Sequence, residues 1–200
     1  GRYHCVVTDL TDPARIPAVE RQLRGGGGVF GTVDDRLAGL SPRLPPADLA
    51  APGVLVVATP ARPLSEAPAL HRLCVAALRA AAASGRRGLH RVVDLAGETA
   101  LAAQPVLAEL VSGELLGPLD PADAFHRHLV RTALTYLDQG QRLDRTAEAL
   151  HLHPNTVRYR LRRLQELTGL PPTLAEPGGR SPVPQTVRWW WALRTWLDRG

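Results

Sequence analysis

Residues 144–167, DRTAEALHLHPNTVRYRLRRLQEL, constrain the fold more than any other stretch, because two helix-length patterns stand only about three residues apart. Asp144 is a suitable N-cap for a short helix running to Leu150. Ala147 is small where that helix must approach its partner, Leu150 points into a shared core, and Leu152 plugs the turn. Pro154 suits the first position of the second helix, where its missing N–H costs nothing. The pattern predicts a helix-turn-helix over about 143–168, with the second helix at 154–168.

At about 100° per residue, Val157, Leu161, Leu164 and Thr168 fall within roughly 60° of one another and form the expected buried stripe. Asn155, Arg158, Tyr159 and Arg162 collect on the opposite, exposed side. A planar amide, an aromatic ring and guanidinium groups on one face have the chemistry to enter a DNA major groove. Asn can pair bidentately with adenine and Arg with guanine. Position along the helix assigns roles. His153, Asn155, Arg158 and Tyr159 lie in the first two turns, within reach of bases. Arg162, Arg163, Thr156 near the helix N-terminus and Arg145 on the preceding helix are placed for phosphates.

The distribution of charge agrees. Residues 1–120 hold 12 Arg and 12 acidic residues, whereas residues 121–200 hold 12 Arg and 7, so the net charge of +5 resides in the last 80 residues. A basic excess confined to one module is the footprint of polyanion binding. Every basic residue is Arg and none is Lys, a bias of GC-rich codon usage more than of function.

The turn has one unusual residue. Glycine is favoured where the backbone must be left-handed, yet His151 stands there. His151 and His153 have no Cys or carboxylate at ligand spacing, so no metal site is expected.

The first half alternates strand-like and helix-like stretches. Tyr3–Thr8 reads as a strand, 14–24 as a helix, and Val29–Val33 with 36–40 as a hairpin turning at Asp34-Asp35. A Pro-rich loop at 42–52 precedes a buried strand at 54–58. Helices follow at 64–83 and 96–112, the latter broken near Pro105, with a short strand at 91–95 between them. The order predicts an α+β sandwich whose antiparallel or mixed sheet carries helices on one face. Beyond Gly117-Pro118 the pattern is helical, with helices at 122–138 and 185–198 and a loop at 171–184. Domains are therefore expected at 1–117 and 118–200.

The run Arg131–Gly169, RTALTYLDQGQRLDRTAEALHLHPNTVRYRLRRLQELTG, resembles the C-terminal helix-turn-helix of PucR/CdaR-type bacterial regulators, above all at His153, Asn155-Thr156-Val157 and Arg158-Tyr159-Arg160-Leu161. The segment from about Val6 to Leu119, including GELLGPL at Gly113–Leu119, is similar to the GGDEF-like domain that precedes this module in that family. The resemblance implies a degenerate cyclase-type α/β fold used for regulation or dimerisation, and a sensor domain farther upstream that perceives an unidentified effector. The chain opens on Gly1 and lacks Met, as expected of a fragment. The expected function is that of a cytoplasmic, sequence-specific DNA-binding transcriptional regulator. Its partners would be double-stranded DNA and further copies of itself, as homodimer or higher homo-oligomer.

The alternative is a nucleotide-binding sensor or residual cyclase-like activity in residues 1–115. Active cyclases need an acidic residue ending the first strand and a Gly-Gly-acidic-acidic hairpin to hold divalent metal and phosphates. Asp9 and Asp34-Asp35 stand in the corresponding places, but Thr32-Val33 replace the glycines, and Gly25–Gly28 lie earlier. The three aspartates read as turn formers, and neither enzyme activity nor a cofactor is expected.

Cys5 and Cys74 lie in apolar stretches and read as buried free thiols. No segment is apolar enough for a membrane span. In the final helix, Trp189, Leu193 and Trp196 share one side, packed against the helix-turn-helix. Three successive tryptophans cannot all face one core, so at least one is expected to be exposed, with a dimer contact as its alternative use.

Overall fold

The computed structural model describes residues 1–46, 53–169 and 183–198. They form two compact units, 1–103 and 104–200.

In the first unit, β1 (Arg2–Thr8) is flanked on one side by β3 (Arg36–Ser41) and on the other by β4 (Leu55–Ala58), both antiparallel to it. β2 (Val29–Val33) pairs with β3, and β6 (Gly88–Arg91) runs parallel to β4, giving the order β2-β3-β1-β4-β6. The two-residue β5 (Arg62–Pro63) pairs with the start of β1. The mixed sheet agrees with expectation, but helices cover both of its faces. Cys5 and Val7 of β1 pack with Leu55 and Val57 against Cys74, Ala77, Leu78 and Ala81 of α2 (Ala67–Ala83). Val6, with Val56 and Ala58, packs against Val19 and Leu23 of α1 (Ile16–Arg24). The cause is visible in the side-chain period: successive strand residues point to opposite faces, and β1 and β4 are apolar on consecutive residues, so both faces need cover.

The strand expected at 91–95 begins earlier, at Gly88. Val92–Leu95 instead makes a 3-10 turn, burying Val92 and Leu95 at a spacing of three, and leads into α3 (Ala96–Ala102). Part of the expected loop at 42–52 lies outside the described residues, as does most of that at 171–184.

The second unit begins before Gly117-Pro118. Helix α4 (Pro105–Leu116), with proline in its first turn, packs against α8 (Val183–Asp198) in this unit. Helix α5 (Ala124–Asp138) starts at Asp123, whose carboxylate accepts from the Phe125 and His126 amides. It contacts α6 (Leu143–Leu150), α7 (Pro154–Thr168) and α8. Leu129, Val130, Ala133, Tyr136 and Leu137 supply its share of the core. The tryptophan helix therefore sits on α4 and α5. Trp189 and Trp196 are buried, and Trp190 and Trp191 are half-buried, so none is exposed as expected. Trp190 donates through Nε1 to Asp138 at 2.7 Å, and the Arg194 guanidinium lies 5.1 Å from its ring centroid.

Candidate nucleic-acid interface

Helix α5 closes through a pair of backbone bonds: Gln141 N–H donates to the Tyr136 carbonyl at 2.8 Å and Gly140 N–H to Leu137 at 3.0 Å. Gly140 occupies the left-handed position this closure requires, with φ of 65°. Helix α6 ends the same way. Leu152 N–H donates to Ala147 at 2.9 Å and His151 N–H to Glu148 at 3.1 Å, and the left-handed residue is His151, at φ 53° and ψ 44°. The turn thus has the predicted geometry in spite of its side chain. Leu152 packs on the core beside Ala147, which is 4% exposed, whereas Leu150 is half-buried outside that cluster.

The start of α6 departs from expectation. The capping position belongs to Arg142, in extended conformation, and Asp144 lies inside the first turn. Arg142 donates through Nε and Nη2 to the two oxygens of Asp144 at 3.2 and 2.8 Å. This bidentate bond, helped by the Arg145 amide, holds the Asp144 carboxyl down at about 2. A forked pair with the preceding arginine has displaced the cap.

Helix α7 starts at His153, whose Nδ1 accepts from the Asn155 amide at 3.2 Å, and Pro154 opens the first turn. Val157, Leu161 and Leu164 are buried at 0%, 2% and 1% exposure, seating the helix on α5. Thr168 is half-buried and donates to the Leu164 carbonyl. On the outer side Asn155, Tyr159, Arg162 and Arg163 are exposed, and Arg158 and Thr156 are half-buried. Arg145 is exposed on α6.

Three partners go beyond what the sequence pattern predicted. Arg158 Nη1 donates to Asn155 Oδ1 at 2.8 Å. Arg163 pairs with Glu166 at 2.9 Å. Arg160 turns inward, donating to Thr132 Oγ1 of α5 at 3.3 Å. The side chains of Arg145 and Arg162 make no ion pair with the described residues. Spacings of three or four residues could have flagged the two local pairs, but not the contact to Thr132.

In the other unit, Asp9 is drawn into the sheet: its carboxylate accepts from the Leu55 amide at 2.9 Å. Asp34 and Asp35 occupy the two left-handed positions of the hairpin turn, with φ of 49° and 62°. Among the described residues, no cluster of three or more metal-ligating side chains occurs and no helix is long and apolar enough to cross a membrane. Cys5 and Cys74 are buried free thiols. The Cys74 thiol donates to the Cys5 carbonyl at 3.6 Å, and the adjoining Cys5 together with burial pushes it far up, so it stays uncharged.

Two short helices joined by a three-residue left-handed turn, with the second seated by an apolar stripe and its polar face outward, define a helix-turn-helix unit. Residues 129–177 match the PucR C-terminal helix-turn-helix domain, a span that takes in most of α5 together with α6 and α7. An uncharacterized protein of Mycobacterium tuberculosis is 39% identical over 95 residues, covering 46% of this chain and 22% of that relative. YsfB of Bacillus subtilis is 44% identical over 45 residues, 22% of this chain and 12% of its own length. An uncharacterized protein from the pkwA 5′ region of Thermomonospora curvata is 35% identical over 91 residues, 46% of each chain. The chain spans about a fifth of the length of the mycobacterial relative. The crystal structure of a regulator of polyketide synthase expression from Bifidobacterium adolescentis aligns over 98% of this chain and 80% of its own, at 25% identity and a TM-score of 0.36.

Proposed function

We propose that the protein is a sequence-specific DNA-binding transcriptional regulator that lays α7 in the major groove. The observation carrying this reading is the outer face of α7, within the matched residues, where Asn155, Arg158, Tyr159 and Arg162 stand away from the Val157–Leu161–Leu164 stripe. His153, Asn155, Arg158 and Tyr159 are assigned to the bases. Arg145, Thr156, Arg162 and Arg163 are assigned to phosphates. The exposed Arg163–Glu166 pair is weak enough to exchange its carboxylate for a phosphate. His153 holds the helix start through Nδ1 and meets DNA through the rest of its ring.

The proposal extends to a homodimer or higher homo-oligomer in the cytoplasm. One helix-turn-helix reads only a few base pairs, and two copies read half-sites about one DNA turn apart. The first unit, residues 1–103, is taken as a GGDEF-like, non-catalytic regulatory or dimerisation domain and the second, residues 104–200, as the DNA-binding domain, with the effector sensed upstream.

Genomic fragments captured by the chain provide a target for fluorescence anisotropy. The triple variant N155A/R158A/Y159A is expected to lose preference for that target while keeping its helical circular dichroism. Undiminished target affinity in that variant would overturn the assignment.

A further inference from the structure

We propose that Asn155 and Arg158 read DNA as one unit, and that its target is the major-groove edge of guanine. This rests on the DNA-binding reading above and names the base it takes. Residues three apart on a helix are neighbours, and Arg158 Nη1 donates to Asn155 Oδ1 at 2.8 Å. A guanidinium carries only donors, so the amide can turn only its oxygen toward it, and the amide nitrogen must face the other way. A bidentate contact to adenine needs that same oxygen to accept from the base's amino group while the amide nitrogen donates to N7. In the pair, the oxygen already holds a charge-assisted bond.

What the pair offers outward is chiefly donors, the two N–H of Asn155 and the remaining N–H of Arg158, beside the one lone pair left on an Oδ1 that is drawn toward the guanidinium. Guanine presents two acceptors, O6 and N7, and no donor on its major-groove edge. Adenine and cytosine each present an amino group, which would meet the array donor to donor, and thymine offers one acceptor beside a methyl group. Guanine alone satisfies both members. The amide is neutral, so Arg158 keeps its full charge toward DNA. Arg142 and Arg163, by contrast, are matched by Asp144 and Glu166.

Selection of bound duplexes from a random pool tests this with the full 200-residue chain and its N155A, R158A and N155A/R158A variants. The wild type is expected to enrich a G·C pair at one position of the bound site. Each single variant loses that preference at the same position, by about tenfold to hundredfold in relative affinity, and the double variant loses little more than either single. Circular dichroism and retained low-salt binding to unrelated duplex report that the variants are folded. Three results overturn the pairing while leaving the DNA-binding reading intact: an A·T pair at the position Asn155 controls, two different base pairs relaxed by the two singles, or a loss confined to one of them. A wild-type chain with no salt-dependent duplex binding overturns both.

Discussion

Arg160 Nη1 of α7 donates to Thr132 Oγ1 of α5 across 3.3 Å, an inward bond from a helix whose neighbouring arginines face solvent. It separates two kinds of arginine on one element. R160A should cost about 1 kcal/mol of stability, read by urea denaturation with tryptophan fluorescence. R162A should leave the denaturation midpoint in place and instead lower the slope of log affinity against log salt by about one. Equal effects of the two variants on stability would refute the distinction.

Strain at His151 gives a second test. The same backbone closure that ends α5 on Gly140 ends α6 on a β-carbon-bearing residue. H151G removes a left-handed penalty of about 1–2 kcal/mol and returns part of it as extra entropy of the unfolded chain. A net gain of roughly 0.5–1 kcal/mol is expected in chemical denaturation, whereas H151V should destabilise. A glycine variant weaker than wild type would contradict the geometry.

Leu161, at 2% exposure, seats α7 on the shared core. L161A should cost about 2–5 kcal/mol, whereas H153A, which removes only the cap on the Asn155 amide, should cost about 1 kcal/mol. Thermal melts of the two variants would reverse this order only if α7 were held mainly by its terminus.

Asp144 supplies a pH test. Its folded value, about 2, is below the 3.8 of the free side chain. Its contribution to stability is therefore complete above about pH 4 and is lost as pH falls through 2. Carboxyl carbon chemical shifts should titrate near 2 in the wild type and move back toward the ordinary range in R142A. An unmoved midpoint would show that Arg142 is not the cause.

The Cys74 thiol, pushed up by Cys5 and by burial, should resist iodoacetamide at pH 8 in the native chain and react once the chain is denatured. Rapid native alkylation, read by mass spectrometry, would place it outside the core.

Sequence pattern revealed most of this architecture because the relevant residues carry their constraint locally. Pro154 opens α7, Gly140 closes α5, and Val157, Leu161 and Leu164 repeat at helical spacing. What was hidden depends on choices that spacing does not make. Helix α4 is apolar on nearly every side, so nothing along it says which neighbour it joins, and Gly117-Pro118 marks a helix end more visibly than a boundary between units. Consecutive apolar residues in β1 and β4 signal two buried faces, but one amphipathic helix at a time reads as cover for one. On α7, the outward residues were legible as a set. That Arg158 leans on Asn155, and Arg160 on Thr132, is decided by side-chain rotamers, and the second also by a helix 28 residues away in sequence.

The cap at the start of α7 also fixes where a proton resides. A backbone amide can only donate, so the Nδ1 of His153 that receives the Asn155 N–H must carry a lone pair. The neutral ring is then the Nε2–H tautomer. His153 therefore approaches any partner as a hydrogen donor, matched to a phosphate oxygen or a base acceptor and mismatched to an amino group.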